Sequence, residues 1–269
     1  MMKDSLRYSL DPVSWCSEVL DITPDPWQGD VLRSQSRRVI LNCCRQAGKS
    51  TIAAAIALHM AVYRPGSLIL LISPTLRQSN ELFRKVSDHM KKLKPRPQLD
   101  EDNKLSCTFT NGSRIVSLPG SEETIRGYSG VSLVIEDESS RVEDSLYRSV
   151  RPMLAVSAGR HFLMSTPWGT RGHFFEEWIG SGVWDRVEIA ASMVSRISPD
   201  FLEEERQALG EWWFNQEYLC SFSDTTDSLF RYDDIQACLC DDIEPLFPVT
   251  LTYTVSPLSD TIPLIEEAL

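Results

Sequence analysis

The stretch Ile40-Leu-Asn-Cys-Cys-Arg-Gln-Ala-Gly-Lys-Ser-Thr51 joins an apolar run that begins at Val39 to an alanine-rich run over residues 52–58. The first run has the composition of a strand, the second that of a helix. A strand that delivers the chain to a tight turn, with backbone N–H groups turned inward and a helix beginning beneath them, is a ready-made anion site. Gly48-Lys49-Ser50 ends such a turn. Gly48 lets the backbone come close to a phosphate, Lys49 reaches β- and γ-phosphates, and the Ser50 hydroxyl suits Mg²⁺. The usual phosphate-loop pattern has glycine five residues before Gly48, where this chain has Cys43. Gly-Lys-Ser arises by chance in many chains; the strand before it and the helix after it give it meaning.

A second signal is Val131-Ser-Leu-Val-Ile-Glu-Asp-Glu138, a mostly apolar strand ending in acids. In a phosphate-loop protein, Asp137 at such a tip holds Mg²⁺, and Glu138 orients the attacking water. A cation offsets the repulsion between the two neighbouring carboxylates. Glu136 departs from the pattern, because an apolar residue is usual there. The expectation is a triphosphate–magnesium cradle, with Asp137 and Glu138 facing Lys49 across adjacent strand tips.

The 269 residues, 42% hydrophobic, allow one large domain or slightly more. No run approaches the ~20 apolar residues of a membrane span, and the start lacks a signal-peptide block, so the expectation is a cytoplasmic protein. Seven cysteines without a Cys-x-x-Cys pair read as buried thiols, and four histidines show no ligand spacing. A net charge of -11 argues against a protein that simply coats DNA, while leaving room for a small local DNA-contacting patch.

Residues 1–22 read as a helical entry. Thr23-Pro-Asp-Pro-Trp-Gln28 is a turn leading into a helix over 28–33, and Gln28 there is equally readable as an adenine contact or as part of a helix start. Residues 67–73 form a continuous apolar strand, followed by helical spacing at Leu82, Phe83, Val86, Met90 and Leu93. The basic cluster 91–96 suits either the end of that helix or a DNA phosphate. Residues 106–117 read as a hairpin turning on Asn111-Gly112. Arg126 lies in a glycine-spaced loop. Residues 144–154 read as a helix. Arg160-His-Phe-Leu-Met-Ser-Thr-Pro167 reads as a strand beside the Glu138 strand, where Ser165 and Thr166 could touch the γ-phosphate or its water; a strand-end turn ahead of Pro167 is nearly as good a reading. A helix over 171–179 and a strand over 184–191 follow. Ser198-Pro199 starts another helix, and Gly210 separates it from the aromatic run 211–218. The expected organisation is an entry segment (1–22), an ATPase core (23–194), a small helical lid and linker (195–228), and a tail (229–269).

Assembled, residues 20–235 resemble the ATPase half of the large terminase subunit of tailed bacteriophages. The resemblance rests on Pro26-Trp-Gln28, Cys44-Arg-Gln-Ala-Gly-Lys-Ser50, Ile125-Arg-Gly127, Val134-Ile-Glu-Asp-Glu138, Arg151-Pro-Met-Leu154, Met164-Ser-Thr-Pro167 and residues 213–218. A phosphate loop without the leading glycine is itself similar to that family. The resemblance implies an α/β P-loop NTPase of RecA/ASCE type, a mostly parallel sheet flanked by helices with a small helical lid, its nucleotide at the strand C-terminal edge. It implies ATP and Mg²⁺ as cofactors. Cys44, Arg45, Gln46, Ala47, Gly48, Lys49, Ser50 and Thr51 would cradle the nucleotide, with Arg45 on its phosphates and Gln28 on adenine. Ser50 and Asp137 would hold the metal, and Glu138 would be the catalytic base beside Lys49. Ser165, Thr166 and Pro167 would couple hydrolysis to movement. Arg126 would be a trans-acting arginine finger. The implied partners are double-stranded DNA, a portal protein, a small terminase subunit and other copies of the chain in a ring, working in the host cytoplasm and docking transiently on a procapsid.

Large terminase subunits usually continue into a nuclease domain, and the acids Asp241, Asp242 and Glu244 do not make a two-metal site; the expectation is no nuclease activity in this chain. Two rival readings stay open. One is a superfamily 2 helicase-like ATPase, which needs a second RecA-like domain. The other is a catalytically silent fragment that binds nucleotide or a partner.

Overall fold

The computed structural model describes residues 2–120, 125, 127–223 and 232–239. Its strands are β1 (Arg38–Cys43), β2 (Leu68–Ser73), β3 (Leu99–Asp102), β4 (Ser106–Phe109), β5 (Arg114–Pro119), β6 (Leu133–Asp137), β7 (Arg160–Ser165) and β8 (Asp185–Ile189). Its helices are α1 (Met2–Leu10), α2 (Pro12–Glu18), α3 (Pro26–Arg33), α4 (Lys49–Tyr63), α5 (Leu76–Lys92), α6 (Asp144–Met153), α7 (Gly172–Ile179), α8 (Pro199–Leu219) and α9 (Tyr232–Cys238).

The strands form one sheet in the order β3-β4-β5-β2-β6-β7-β1-β8. From β5 to β8 every pairing is parallel, while β3/β4 and β4/β5 are antiparallel. Parallel strands need covering on both faces, and the alternation of side chains supplies two cores. Ile69 and Leu71 face the core built with α4 and α5, while Leu70 and Ile72 face Leu146 and Val150 of α6. On β1, Val39 and Leu41 point to the first side, and Ile40 points toward Phe174 and Trp184 on the other. The alanines of α4 are all buried, because the helix packs on α5 and on β2, β5 and β6.

The hairpin expected at Asn111-Gly112 is present, with Gly112 at φ 82. The strand β3 extends that edge and was not expected. Helix α3 begins at Pro26, earlier than the expected residue 28, because Asp25 and Gln28 form a capping box. The basic cluster 91–96 is engaged locally: Lys91 pairs with Asp88 at 2.8 Å, Lys92 donates to the Leu20 carbonyl at 2.6 Å, and Arg96 lies 3.5 Å from Asp102. Gly210 interrupts α8 at φ 76, ψ 162, a conformation open essentially to glycine alone. The described cysteines are free thiols, all buried except Cys238.

The chain divides into two units, Met1–Ser228 and Leu229–Leu269, and α9 belongs to the second. No described helix is long and apolar enough to cross a membrane.

Candidate nucleotide site

The site is built at the C-terminal ends of β1 and β6. Where the usual pattern places its first glycine, Cys43 is still in β1, fully buried and in register with Ile189 of β8. Turning begins later, with positive φ at Gln46 (63°) and Gly48 (93°), so no glycine is needed at Cys43. Gly48 has a second constraint: a Cβ there would sit 2.7 Å from Gln28 Nε2.

The amides of Cys44 and Arg45 are already engaged. They donate to the carbonyls of Ile189 (2.9 Å) and Glu217 (3.3 Å). Cys44 is fully buried, and burial pushes its thiol up. Thr51 donates its amide back to Gly48 O at 3.1 Å, within the first turn of α4. The amides of residues 46–50 have no acceptor among the described residues, which leaves them as the anion-binding set. Lys49 is buried and folds back, its Nζ 3.0 Å from both the Cys43 and Cys44 carbonyls.

Across the cleft, the Ser50 hydroxyl donates to Asp137 Oδ2 at 3.3 Å. Asp137 is 8% exposed, and burial, with Glu138 adding repulsion, raises its pKa to about 6. A buried carboxylate beside a serine hydroxyl is an oxygen set that a hard cation fits, and Mg²⁺ characteristically uses few protein ligands together with substrate phosphates. The residues therefore suit Mg²⁺, and Ser50 and Asp137 are the side chains that could hold it. Among the described residues no group of three or more His, Cys, Asp or Glu side chains forms a metal cluster. Glu138 adopts a left-handed conformation at φ 54, ψ 43, costly for a non-glycine residue, and lines the same cleft as Lys49 and Ser50. The two acids do not sit on a strand adjacent to β1: β7 lies between β1 and β6.

Gln28 is engaged at both ends of its carboxamide. Its Nε2 donates to the Ala47 carbonyl at 3.1 Å, and its Oε1 accepts from the Asp25 amide at 2.9 Å. With the side chain buried, it braces the phosphate loop against α3. Arg196, which no motif marked, supports the same carbonyl at 3.1 Å while paired with Asp25 at 2.8 Å. Arg45 is held by Glu217 of α8 at 2.5 Å, with its side chain 61% exposed.

Ser165 and Thr166 are buried at the end of β7. The Ser165 and Ser140 hydroxyls lie 2.7 Å apart, and Ser140 donates to the Thr166 carbonyl at 2.9 Å. Ser165 and Thr166 are thus both tied to Ser140. Ser140 belongs to the 3-10 turn Ser139–Arg141 that directly follows Glu138. Behind the turn, the fully buried Glu136 accepts from His161 (2.7 Å), His173 (3.2 Å) and Ser139 (3.2 Å). Burial alone would raise its pKa, but these hydrogen bonds hold it below the usual carboxylate range. His173 is fixed in turn by Asp144 at 3.1 Å. The unusual acid at position 136 and two of the histidines without ligand spacing thus explain each other. Arg126 lies outside the described residues.

The large terminase subunits of Thermus phage G20c and Thermus virus P23-45 are each 26% identical over 252 residues, covering 79% of this chain and 51% of theirs. The chain therefore spans about half the length of these curated relatives. The ATPase domain of the Thermus phage P74-26 large terminase superposes with a TM-score of 0.70 at 23% identity, covering 79% of this chain and 99% of that one. The large terminase of bacteriophage HK97 gives 0.65 at 15% identity, covering 80% and 55%. These likenesses place the fold among the P-loop NTPase-like ATPase domains. The family described as terminase large subunit, T4likevirus-type, N-terminal matches residues 40–237, and the chain belongs to it.

Proposed function

We propose that this chain is an ATP-hydrolysing DNA-packaging motor that moves double-stranded viral DNA into a procapsid. The observation that carries the reading is the approach of Ser50 to Asp137 beneath the unpartnered amides of residues 46–50, with Glu138 on the same cleft. The amides and Lys49 bind the β- and γ-phosphates. When bound, Mg²⁺ supplies charge neutralisation of those phosphates. Glu138 takes up the proton of the attacking water, and its left-handed backbone fixes where that carboxylate points. The large terminase of a thermophilic bacteriophage, a neighbour with a TM-score of 0.60 at 12% identity, has been solved in complex with ADP, which fits a nucleotide in this cleft.

The partners of this reading are the portal protein, the small terminase subunit and further copies of the chain in a ring, in the host cytoplasm with transient docking on the procapsid. Arg126 is assigned to the neighbouring subunit's site, and Ser165, Thr166 and Pro167 to coupling. Arg45 becomes available to phosphate once it leaves Glu217. No nuclease chemistry is assigned to the described residues.

The test is ATP turnover by wild type and Glu138→Gln, alone and with portal, small subunit and DNA. The expected result is slow turnover alone, stimulation on assembly, and loss of turnover with retained ATP binding in Glu138→Gln. Vigorous wild-type turnover independent of protein concentration would contradict the ring-gated mechanism, and absence of nucleotide binding would overturn the reading itself.

A further inference from the structure

The 3-10 turn after Glu138 ends in Arg141, which lines the nucleotide cleft together with Lys49, Ser50, Lys85 and Glu138. The other cations on this cleft meet oxygen atoms. Arg45 is paired with Glu217, Lys49 donates to two carbonyls, and Lys85 donates to the Thr51 hydroxyl at 3.4 Å. The Arg141 side chain meets no oxygen among the described residues. Its guanidinium instead lies over the Trp168 ring, with Cζ 3.7 Å from the ring centroid.

That arrangement has a chemical consequence. Stacking on an indole face orients a guanidinium and restricts its motion while leaving its in-plane N–H donors available, the geometry suited to a phosphate. The position is fixed from below as well, because the Arg141 amide donates to the Glu138 carbonyl at 2.9 Å. Arg141 therefore stands on the Glu138 side of the cleft. Gln28 and Arg196 hold the loop at Ala47. In the reaction proposed above, Glu138 takes the proton of the water that attacks the terminal phosphate, so that phosphate lies on the Glu138 side.

We infer that Arg141 is a phosphate-contacting residue of the chain's own site, directed at the terminal phosphate and held ready by Trp168. The inference rests on the ATPase reading and deepens it. Trp168 directly follows Thr166-Pro167 and packs against Trp213 of α8, ring centroids 6.0 Å apart. Arg141 leaving or regaining the indole face as the terminal phosphate arrives and departs would be felt at both places.

The experiment is calorimetric titration of the full chain with Mg²⁺–ATPγS and with Mg²⁺–ADP. Arg141→Ala is expected to weaken ATPγS by about ten- to a hundredfold, the scale of one charge-assisted hydrogen bond, and to leave ADP within about twofold. Arg141→Lys, which keeps the charge, is expected to recover part of the loss. Trp168→Phe keeps a π face and should stay near wild type, while Trp168→Ala should lose ATPγS selectively. Circular dichroism and melting temperature show whether each variant is folded, and Arg141→Lys serves if the alanine variant is not. Equal weakening of both nucleotides, or of neither, overturns the inference. If wild type binds both nucleotides and Lys49→Ala abolishes both, while Arg141→Ala fails to discriminate, only the Arg141 assignment falls. If wild type binds neither, the ATPase reading falls with it.

Discussion

The Ser50 hydroxyl and the Asp137 carboxylate stand 3.3 Å apart, although they lie 87 positions apart along the chain. Ser50 belongs to the first turn of the helix after the phosphate loop, and Asp137 closes β6. Burial and the neighbouring Glu138 disfavour the charge on Asp137, against the help of the Ser50 hydrogen bond, and a bound cation would offset that cost.

That tension predicts opposite effects of Asp137→Asn on stability and on function. The folded-state pKa of Asp137 is raised from 3.8 to about 6, so its favourable contribution is present below 3.8 and is lost as pH rises through 6. At pH 8 without Mg²⁺ the ionised carboxylate opposes folding by a few kcal/mol, roughly. The asparagine variant should melt higher there, on the order of 5 °C, and the gap should shrink below pH 6. The same variant should lose Mg²⁺-dependent nucleotide binding. A lower melting temperature at pH 8 would refute this account.

Gln28→Ala separates bracing from base recognition. The variant loses the bond to Ala47 and half of the α3 capping box. Each buried hydrogen bond lost this way costs about 1–2 kcal/mol. The melting temperature should fall, and ATP and GTP binding should weaken together. Selective loss of ATP would restore the adenine reading.

Glu136→Gln tests the buried acid–histidine cluster. Removing one partner of a buried pair costs about 3–5 kcal/mol, less whatever the amide recovers by accepting one bond. The sign of the pH dependence follows from both groups. Glu136, held low, contributes above 4.5 and loses that contribution as pH falls; His173, raised by Glu136 and Asp144 against the effect of burial, contributes below 6.5 and loses it as pH rises through its folded value. The difference in melting temperature between wild type and variant should be greatest between those limits and narrow in alkali. A difference that grows steadily up to pH 9 would be incompatible with this cluster.

Ser140→Ala removes the link from the Glu138 turn to Ser165 and Thr166. Stability should fall by about 1 kcal/mol. In the assembled motor, kcat or DNA movement per ATP should fall while the KM for ATP stays near wild type. An effect confined to KM would place Ser140 in nucleotide binding instead.

What could be read from the chain alone was what is local along it. The phosphate loop is one covalent segment, so its strand, turn and helix are legible in a dozen letters. The acids of β6 are legible for the same reason, as a strand ending in charge. What stayed hidden depends on contacts made in space. Glu136 looked anomalous because its histidines lie 25 and 37 residues away. Gln28 was recognisable as important, but its partner Ala47 comes from the loop itself, and only the folded chain shows the carboxamide facing that carbonyl. Ser140 and Arg141 carry no motif of their own and acquire meaning only when β7 brings Thr166 and Trp168 beside them. The order of strands was legible only in part: the place of β7 beside β6 was expected, but nothing local to β1 announces that the same strand stands between the two.

That interposed strand has a mechanical consequence. With β7 in register against β1 on one side and β6 on the other, the loop and the acids have no direct seam along which to slide. Within the sheet, any sliding of β1 against β6 passes through β7, which ends at Ser165 and is followed by Thr166 and Pro167. In the proposed motor this segment is therefore a strain gauge for the cleft.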